Sequence, residues 1–401
     1  MQYSMGTAAY IVGSTDQQLW GITSRERIER QLLAAGIDEI TDDLCWSAGT
    51  DSVLLLNAGY LFEVRTLVGL IQHRQTLLEC AEDENIAAAH VDTARAIACL
   101  DVVTHANATR PTDMAVLKPQ SLDGFDGDLR KVEPPLLKPV TAENRILLED
   151  HLYGNSYKGI TDLVTKWLWP RPARHFVKWC TLAGISPNMV TVTGLFLVIA
   201  ASWLFLHGHY ASGLACGWVM TLLDTVDGKL ARVTIRSSRF GHVLDHGMDI
   251  IHPPFWYVFW GMGLAGFDNF FGLGRPELYW LIVVGYIAGR VIEALFHALG
   301  HCSMFAWRPF DAYFRLYTAR RNPCLIILTA ALLTGRPDYG LFGVALWTIV
   351  SSAIMLVRLV YATGVRIRSE PLESWLKDPS AAQAKHAAAY ETFSGTRRAY
   401  G

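Results

Sequence analysis

The chain has no CxxC pair. Its seven cysteines (Cys45, Cys80, Cys99, Cys180, Cys216, Cys302, Cys324) are scattered through 401 residues. That spacing argues against a disulfide framework or a zinc site and suits reduced thiols filling packing space. Neither charge is in excess: the formal net charge is −2, which gives no reason to expect a nucleic-acid partner. The opening MQYSMGTAAY has no basic residue ahead of its apolar part, so no secretory signal is expected there. What the chain does have is hydrophobicity, unevenly spread. Of its residues 51% are hydrophobic, and the long apolar runs all lie after Ser186.

Six of those runs approach the ~20 residues needed to cross a bilayer: 188–206, 212–232, 240–264, 278–299, 323–333 extended at both ends, and 341–362. The fifth is the shortest. Basic residues alternate from one connection to the next. Lys166, Arg171, Arg174 and Lys178 precede the first run, and the loop HGHY after it has no Lys or Arg. Arg232, Arg236 and Arg239 follow the second, and only Arg275 lies between the third and fourth. Arg308, Arg315, Arg320 and Arg321 lie between the fourth and fifth, Arg336 between the fifth and sixth, and Arg366 and Arg368 after the last. By the positive-inside rule this predicts an integral protein of the cytoplasmic membrane, multi-pass, with both termini cytoplasmic.

The amino-terminal part reads as soluble α/β. AAYIVG is a short strand, and TSRERIERQLLAAGIDEI a helix capped by Thr23 or Ser24 and ended near Gly36. DSVLLLNAG is a second strand and YLFEVRTLVGLIQH a second helix, an alternation that predicts a parallel, doubly wound sheet. Residues 105–150 are Pro- and charge-rich and read as a connector. YKGITDLVTKWLWPRPARHFVKWC then interleaves Trp167, Trp169, Phe176 and Trp179 with Lys166, Arg171, Arg174 and Lys178, as an interfacial amphipathic helix requires. The tail after Glu370 reads as a mobile or surface helix.

The strand–loop–helix order of the first 100 residues resembles the nucleotidyltransferase fold of sugar-phosphate and inositol-phosphate cytidylyltransferases. Such a domain needs a glycine-rich basic loop, whose backbone N–H groups approach the nucleotide phosphates, and an Asp after the later strand. Here the loop is GSTDQQLWGIT, with no Lys or Arg before Arg25, and Asn57-Ala58-Gly59 stands where the Asp is expected. Both departures remove charged ligands and predict an inactive domain serving as scaffold or regulator. A bifunctional chain whose amino-terminal domain keeps its cytidylyltransferase activity is the alternative.

Four aspartates interrupt the apolar half. On the second run as a helix, Asp224 is followed at three, four, seven and eight positions by Asp227, Gly228, Ala231 and Arg232, all on one side; on the third run Gly241, Asp245 and Asp249 are each four apart. Two carboxylates per helix can thus converge on one point. A charge at membrane depth costs on the order of 2.5–3.5 kcal/mol per residue on insertion scales. Divalent cations remove the like-charge problem, and carboxylate ligands favour hard ions. Gly228 and Ala231 add a slot without bulk, and Arg232 a guanidinium suited to phosphate oxygens. Carboxylates in a membrane also line ion pathways, so a cation or proton transporter is the competing class; the chain shows no internal repeat.

The pattern Asp224-x2-Asp227-Gly228-x2-Ala231-Arg232-x8-Gly241-x3-Asp245-x3-Asp249 is similar to the signature of the CDP-alcohol phosphotransferases at every fixed position. The resemblance covers all six runs, about 180 residues, and includes SPNMVT at the start of the first. It implies transfer of a phospho-alcohol (phosphatidyl) group from a CDP-alcohol to an acceptor hydroxyl with release of CMP, in phospholipid or phosphodiester-polyol synthesis. It further implies two divalent ions, Mg²⁺ or Mn²⁺, a homodimer, and membrane lipid as a partner. By it Asp224, Asp227 and Asp245 are metal ligands and Asp249 the base, also near the second metal. Asn188, Thr191, Gly228, Ala231, Arg232 and Gly241 bind the CDP-alcohol. Arg290, Arg308 and Arg321 are assigned to the acceptor, Arg290 with an ion pair to Glu293 as its other reading; His246 and His252 are read as packing residues. The expected organisation is a cytoplasmic nucleotidyltransferase-like α/β domain over 1–145, a connector and interfacial helix over 146–185, an all-α domain of six transmembrane helices over 186–365, and a cytoplasmic tail over 366–401.

Overall fold

The computed structural model describes residues 6–395 apart from 107, 123, 134, 268, 301, 369 and 370. The opening MQYSM and residues 396–401 of the tail lie outside the described residues. The chain divides into two compact units. The first holds Met1–Phe125, Glu133–Gly154 and Val233–Ile235, and the second Asp126–Val132, Asn155–Arg232 and Arg236–Gly401.

In the first unit the strand Thr7–Val12 pairs in parallel with Ile40–Thr41 and with Ser52–Asn57. Beyond Ser52–Asn57 the sheet changes sense: Ile86–Asp92 pairs with it antiparallel, Thr76–Glu79 pairs antiparallel with Ile86–Asp92, and Ala115–Leu117 joins Thr76–Glu79 in parallel. The six-stranded sheet is therefore mixed, not parallel throughout as the strand–helix alternation predicts. The reason is loop length. Residues 80–85 are too few for a crossover helix, and only antiparallel strands can be joined so tightly.

Helices cover both faces, as expected of a doubly wound sheet. Helix α1 (Ser24–Ala35) and α2 (Val64–Ile71) bring Ile28, Leu32, Leu67 and Leu70 onto Ala9, Ile11, Leu54 and Leu56. On the other face α3 (Ala96–Thr104) brings Cys99, Val102 and Val103 onto Val53, Leu55 and Leu77. The Thr23 hydroxyl caps α1 by accepting from the Glu26 N–H, and Gly36 ends it at φ 86°, donating to the Leu32 and Leu33 carbonyls. One predicted helix is split: Tyr60–Phe62 forms a short strand paired with Leu137–Pro139 before α2 begins. Helix α4 (Arg145–Asn155) follows, its Glu149 carbonyl accepting from the Trp20 ring N–H.

The second unit is helical. Helix α5 (Pro170–Leu182) begins at Pro170, where a missing N–H is harmless. It buries Ala173, Val177 and Cys180 while exposing Phe176, Trp179 and Leu182, an outward aromatic face of the kind an interfacial helix presents. Then come α6 (Pro187–Leu206), α7 (Tyr210–Thr234), α8 (Arg239–Met262) and α9 (Arg275–Gly300). The short α10 (Pro309–Tyr317), α11 (Arg321–Leu333) and α12 (Pro337–Ile367) complete the series. Three of these, α6, α9 and α12, are long and apolar enough to cross a membrane. They also expose large apolar side chains such as Phe196, Trp203, Trp280, Ile287, Val357 and Val360, which suit hydrocarbon. Helices α7 and α8 match the predicted runs in length but carry the charged residues, and α11 has 13 residues. The core of the unit gathers Phe205, Met220, Trp256, Trp260, Leu325 and Leu341 from α6, α7, α8, α11 and α12.

Two further segments are packed. The arginine-rich stretch 307–323 holds a helix, α10, that buries Asp311, which takes both the Nε and Nη2 of Arg358 on α12 at 2.6 and 2.8 Å. The tail is also packed, with Leu372, Leu376, Ala389 and Phe393 buried.

Candidate functional site

Helices α7 and α8 carry the aspartates, and the starts of α8 and of its neighbour α6 are fixed by caps. At α8 the Ser238 hydroxyl accepts from the Gly241 N–H at 2.9 Å and donates to Asn188 Oδ1 at 2.9 Å. At α6 the Ser186 hydroxyl accepts from Met189, with Pro187 in the first turn. Gly241 is needed at the crossing of α6 and α8, since a Cβ there would overlap Asn188 Oδ1. Asn188 and Gly241, assigned from the sequence to the CDP-alcohol, thus also set the spacing of the two helices.

Asp224, Asp245 and Asp249 come together, each offering a carboxylate oxygen, all within 4.8 Å of one another. Asp227 is not part of this trio. It is buried, and its Oδ2 accepts from the Thr191 hydroxyl at 2.7 Å. Thr191 therefore has a partner of its own on α7, which the sequence did not signal.

Arg321, at the start of α11, enters the trio. Its Nη1 donates to Asp249 Oδ1 at 2.5 Å and its Nη2 to Asp224 Oδ2 at 2.6 Å. A fork-shaped guanidinium suits two acceptors at once. Asp245 Oδ1 is buried and receives no hydrogen bond, as is the Nε of Arg321. A buried carboxylate oxygen without a donor is costly, and three hard oxygen ligands at this spacing fit a divalent cation.

Behind the trio, Arg232 Nε and Lys229 Nζ both donate to the Ser156 carbonyl, at 2.8 and 2.9 Å, and the Lys229 ammonium lies 3.4 Å from the Tyr157 ring centroid. A Cβ on Gly228 would come within 3.0 Å of Arg232 Nη2, so the glycine leaves room for the guanidinium.

Of the arginines assigned to the acceptor, Arg321 is in the cluster itself. Arg290 pairs with Glu293 at 3.1 Å, which Arg320 shares at 2.5 Å. Arg290 also lies over the Tyr286 ring, whose hydroxyl donates to the Asp249 carbonyl at 3.3 Å. Arg308 lies over the Trp307 ring. His252 Nδ1 donates to the Met248 carbonyl at 2.6 Å and its ring packs edge-on against Trp256, a packing role. Sequence reasoning missed Ser156, Asp162 and Asn322. Asp162 is buried just ahead of the spans; burial works to raise its carboxyl, but the Arg315 charge and the hydrogen bonds from Asn322 and Thr165 hold it below the usual carboxylate range.

Helices apolar enough to cross a membrane, with three carboxylates and an arginine fork gathered between their neighbours, define an integral membrane protein with an acidic centre among its helices. The family model for CDP-alcohol phosphatidyltransferase matches residues 184–303. The chain is similar to archaetidylinositol phosphate synthase of Pyrococcus horikoshii, 32% identical over 116 residues, 29% of this chain and 57% of that protein. It is similar to phosphatidylinositol phosphate synthase of Mycobacteroides abscessus, 34% identical over 112 residues, 28% of this chain and 49% of that protein. Cholinephosphotransferase 1 of Danio rerio is 28% identical over 129 residues, 29% of this chain and 32% of that protein. The matched part thus spans between about a third and somewhat over half of these relatives.

Proposed function

We propose that this chain transfers a phospho-alcohol group from a CDP-alcohol to the hydroxyl of an acceptor, releasing CMP. The observation that carries the reading is the convergence of Asp224, Asp245 and Asp249 from two helices whose residues fit the family pattern at each fixed position. The relatives' names, two synthases of phosphoinositide-type lipids and a phosphotransferase, favour this over ion transport.

In this reading Asp224, Asp227, Asp245 and Asp249 hold two divalent ions, Mg²⁺ or Mn²⁺. When bound, these ions neutralise the diphosphate and the departing CMP. Gly228 and Ala231 take the cytosine, with Asn188, Thr191 and Gly241 beside it, and Arg232 holds the diphosphate. Asp249 takes the proton of the acceptor hydroxyl as its oxygen bonds to the phosphorus bearing the donor's alcohol. The bond from that phosphorus to the CMP oxygen breaks, and CMP leaves with the electron pair.

The acceptor is proposed to be an alcohol bearing a phosphate, such as a polyol phosphate. Arg290 lies one aromatic ring from Asp249 and shares Glu293 with Arg320, and the buried Arg315 Nη1 and Arg320 Nε have no hydrogen-bond partner, which suits a phosphate beside them. Six transmembrane helices, an active site and termini on the cytoplasmic side, a homodimer and a catalytically silent amino-terminal unit complete the proposal. In the first unit Asn57 Nδ2 donates to the Val103 carbonyl and its Oδ1 accepts from Gly59 N–H, which supports a structural use of the position. Where a phosphate loop is expected, Trp20 and Gly21, both at positive φ, turn a tight hairpin between Gln18–Leu19 and Ile22–Thr23. The deciding experiment incubates purified full-length protein with Mg²⁺ or Mn²⁺, a panel of CDP-alcohols, and acceptors with and without a phosphate. CMP release confined to phosphorylated acceptors is expected; none with any donor overturns the reading.

A further inference from the structure

We propose that residues 155–166, clamped by the C-terminal segment 371–395, form a strap that positions Arg232 and Arg321, so that the tail is required for donor binding without touching the aspartates. The inference rests on the donor role given to Arg232. The strap lies outside the residues matched by the family model.

One end of the strap holds α7. The Ser156 carbonyl is the shared acceptor of Arg232 Nε and Lys229 Nζ. The other end holds α11. Asp162 Oδ1 accepts from the backbone N–H groups of Val164 and Thr165, at 3.1 and 3.0 Å, and from Asn322 Nδ2 at 2.9 Å. Asn322 also donates to Thr165 Oγ1 at 3.2 Å, and it directly follows Arg321 in the chain. Both residues of this junction are buried. The strap runs on into a π-helical turn at Val164–Leu168, an irregularity more frequent at functional positions than elsewhere.

The clamp comes from two segments distant in sequence. Lys131 is buried and its Nζ donates to the Asn155 carbonyl at 2.8 Å, while Gly159 N–H donates to the Leu129 carbonyl at 2.8 Å. Val132 N–H donates to the Ser394 carbonyl at 2.8 Å. Gly159 is pressed so closely that a Cβ would overlap the carbonyl oxygens of Phe393 and Arg130. Phe393 is fully buried, packed on Tyr313 with Lys166 over its ring, and Lys166 Nζ donates to the Gly159 carbonyl at 2.8 Å. Backbone atoms do most of this holding, so the tail fixes the strap's path more than any chemical group.

The test uses full-length protein in detergent. Phe393→Ala and Asn322→Leu are each expected to raise KM for the CDP-alcohol about tenfold with kcat within about twofold, and to speed amide hydrogen exchange at residues 229–232. Mn²⁺ affinity is expected to stay within about twofold, and Phe393→Leu to restore KM. Exchange at 229–232 equal to the wild type in both variants overturns the strap. So does exchange that rises across the whole second unit together with loss of kcat, which would make Phe393 a general packing residue. A wild type that releases no CMP from any CDP-alcohol sinks the donor reading instead, and the exchange measurement still decides the strap.

Discussion

Asp249 and Arg321 show how much one side chain can be asked to do in a membrane. Asp249→Asn keeps the shape but cannot take a proton, so CMP release should fall about 100- to 10,000-fold while CDP-alcohol binding by calorimetry stays within a few fold; wild-type turnover would remove Asp249 as base. Arg321 neutralises Asp224 and Asp249 through one fork, the task given to a divalent cation in the proposed function. The two carboxylates are partly exposed, so losing the fork leaves like charges that solvent screens only in part. Arg321→Ala should therefore lower thermal stability in EDTA and lose much less in saturating Mn²⁺. Equal losses in both would show that arginine and metal do not share the carboxylates. The aspartates were legible because carboxylates in an apolar run have few bland explanations. Asn322 and Asp162 were not, because a polar residue at a span's edge looks the same whether it is solvated or buried.

Helix pairs carry the next set of consequences. At Gly228 added bulk meets Arg232 Nη2 before anything else, so Gly228→Val displaces the guanidinium, and Ala231→Leu fills the same face. Each should weaken CDP-alcohol binding by about 1–3 kcal/mol, the usual range for overpacking, with Mn²⁺ binding retained. Normal nucleotide affinity in both would show that the cytidine lies elsewhere. Gly241→Ala acts between α6 and α8, where Asn188 Oδ1 cannot yield without losing its bond from Ser238. It should destabilise the protein by a similar amount in thermal melts, and a neutral result would mean that the crossing has slack. The ends of α1 were readable from Thr23 and Gly36, since capping is local chemistry. The direction of Ile86–Asp92 was not, because strand sense depends on how much chain returns it, and the run after residue 72 offers no helix period to read.

At the scale of the molecule the reading holds one chemistry and one inert unit. The first unit, expressed as residues 1–154, should release no pyrophosphate from CTP and a polyol phosphate; release would make the protein bifunctional. The unit's two-faced sheet was legible from the spacing of strands and helices in the first 70 residues. The packed tail was not, because its Ala-rich composition carries no period, and Phe393 and Ser394 become informative only when Lys131 and Gly159 are seen against them.

That closure also bears on timing. Membrane helices enter the bilayer in the order in which they are made, and folding during synthesis generally runs from the amino terminus onward. Lys131 emerges early, yet the Val132 N–H finds its acceptor only at Ser394. The aspartates can be threaded into the membrane long before the last turn is translated, but the strap behind Arg232 cannot be tied until then. A chain stalled before Phe393 would carry its aspartates in place with the strap behind Arg232 still untied.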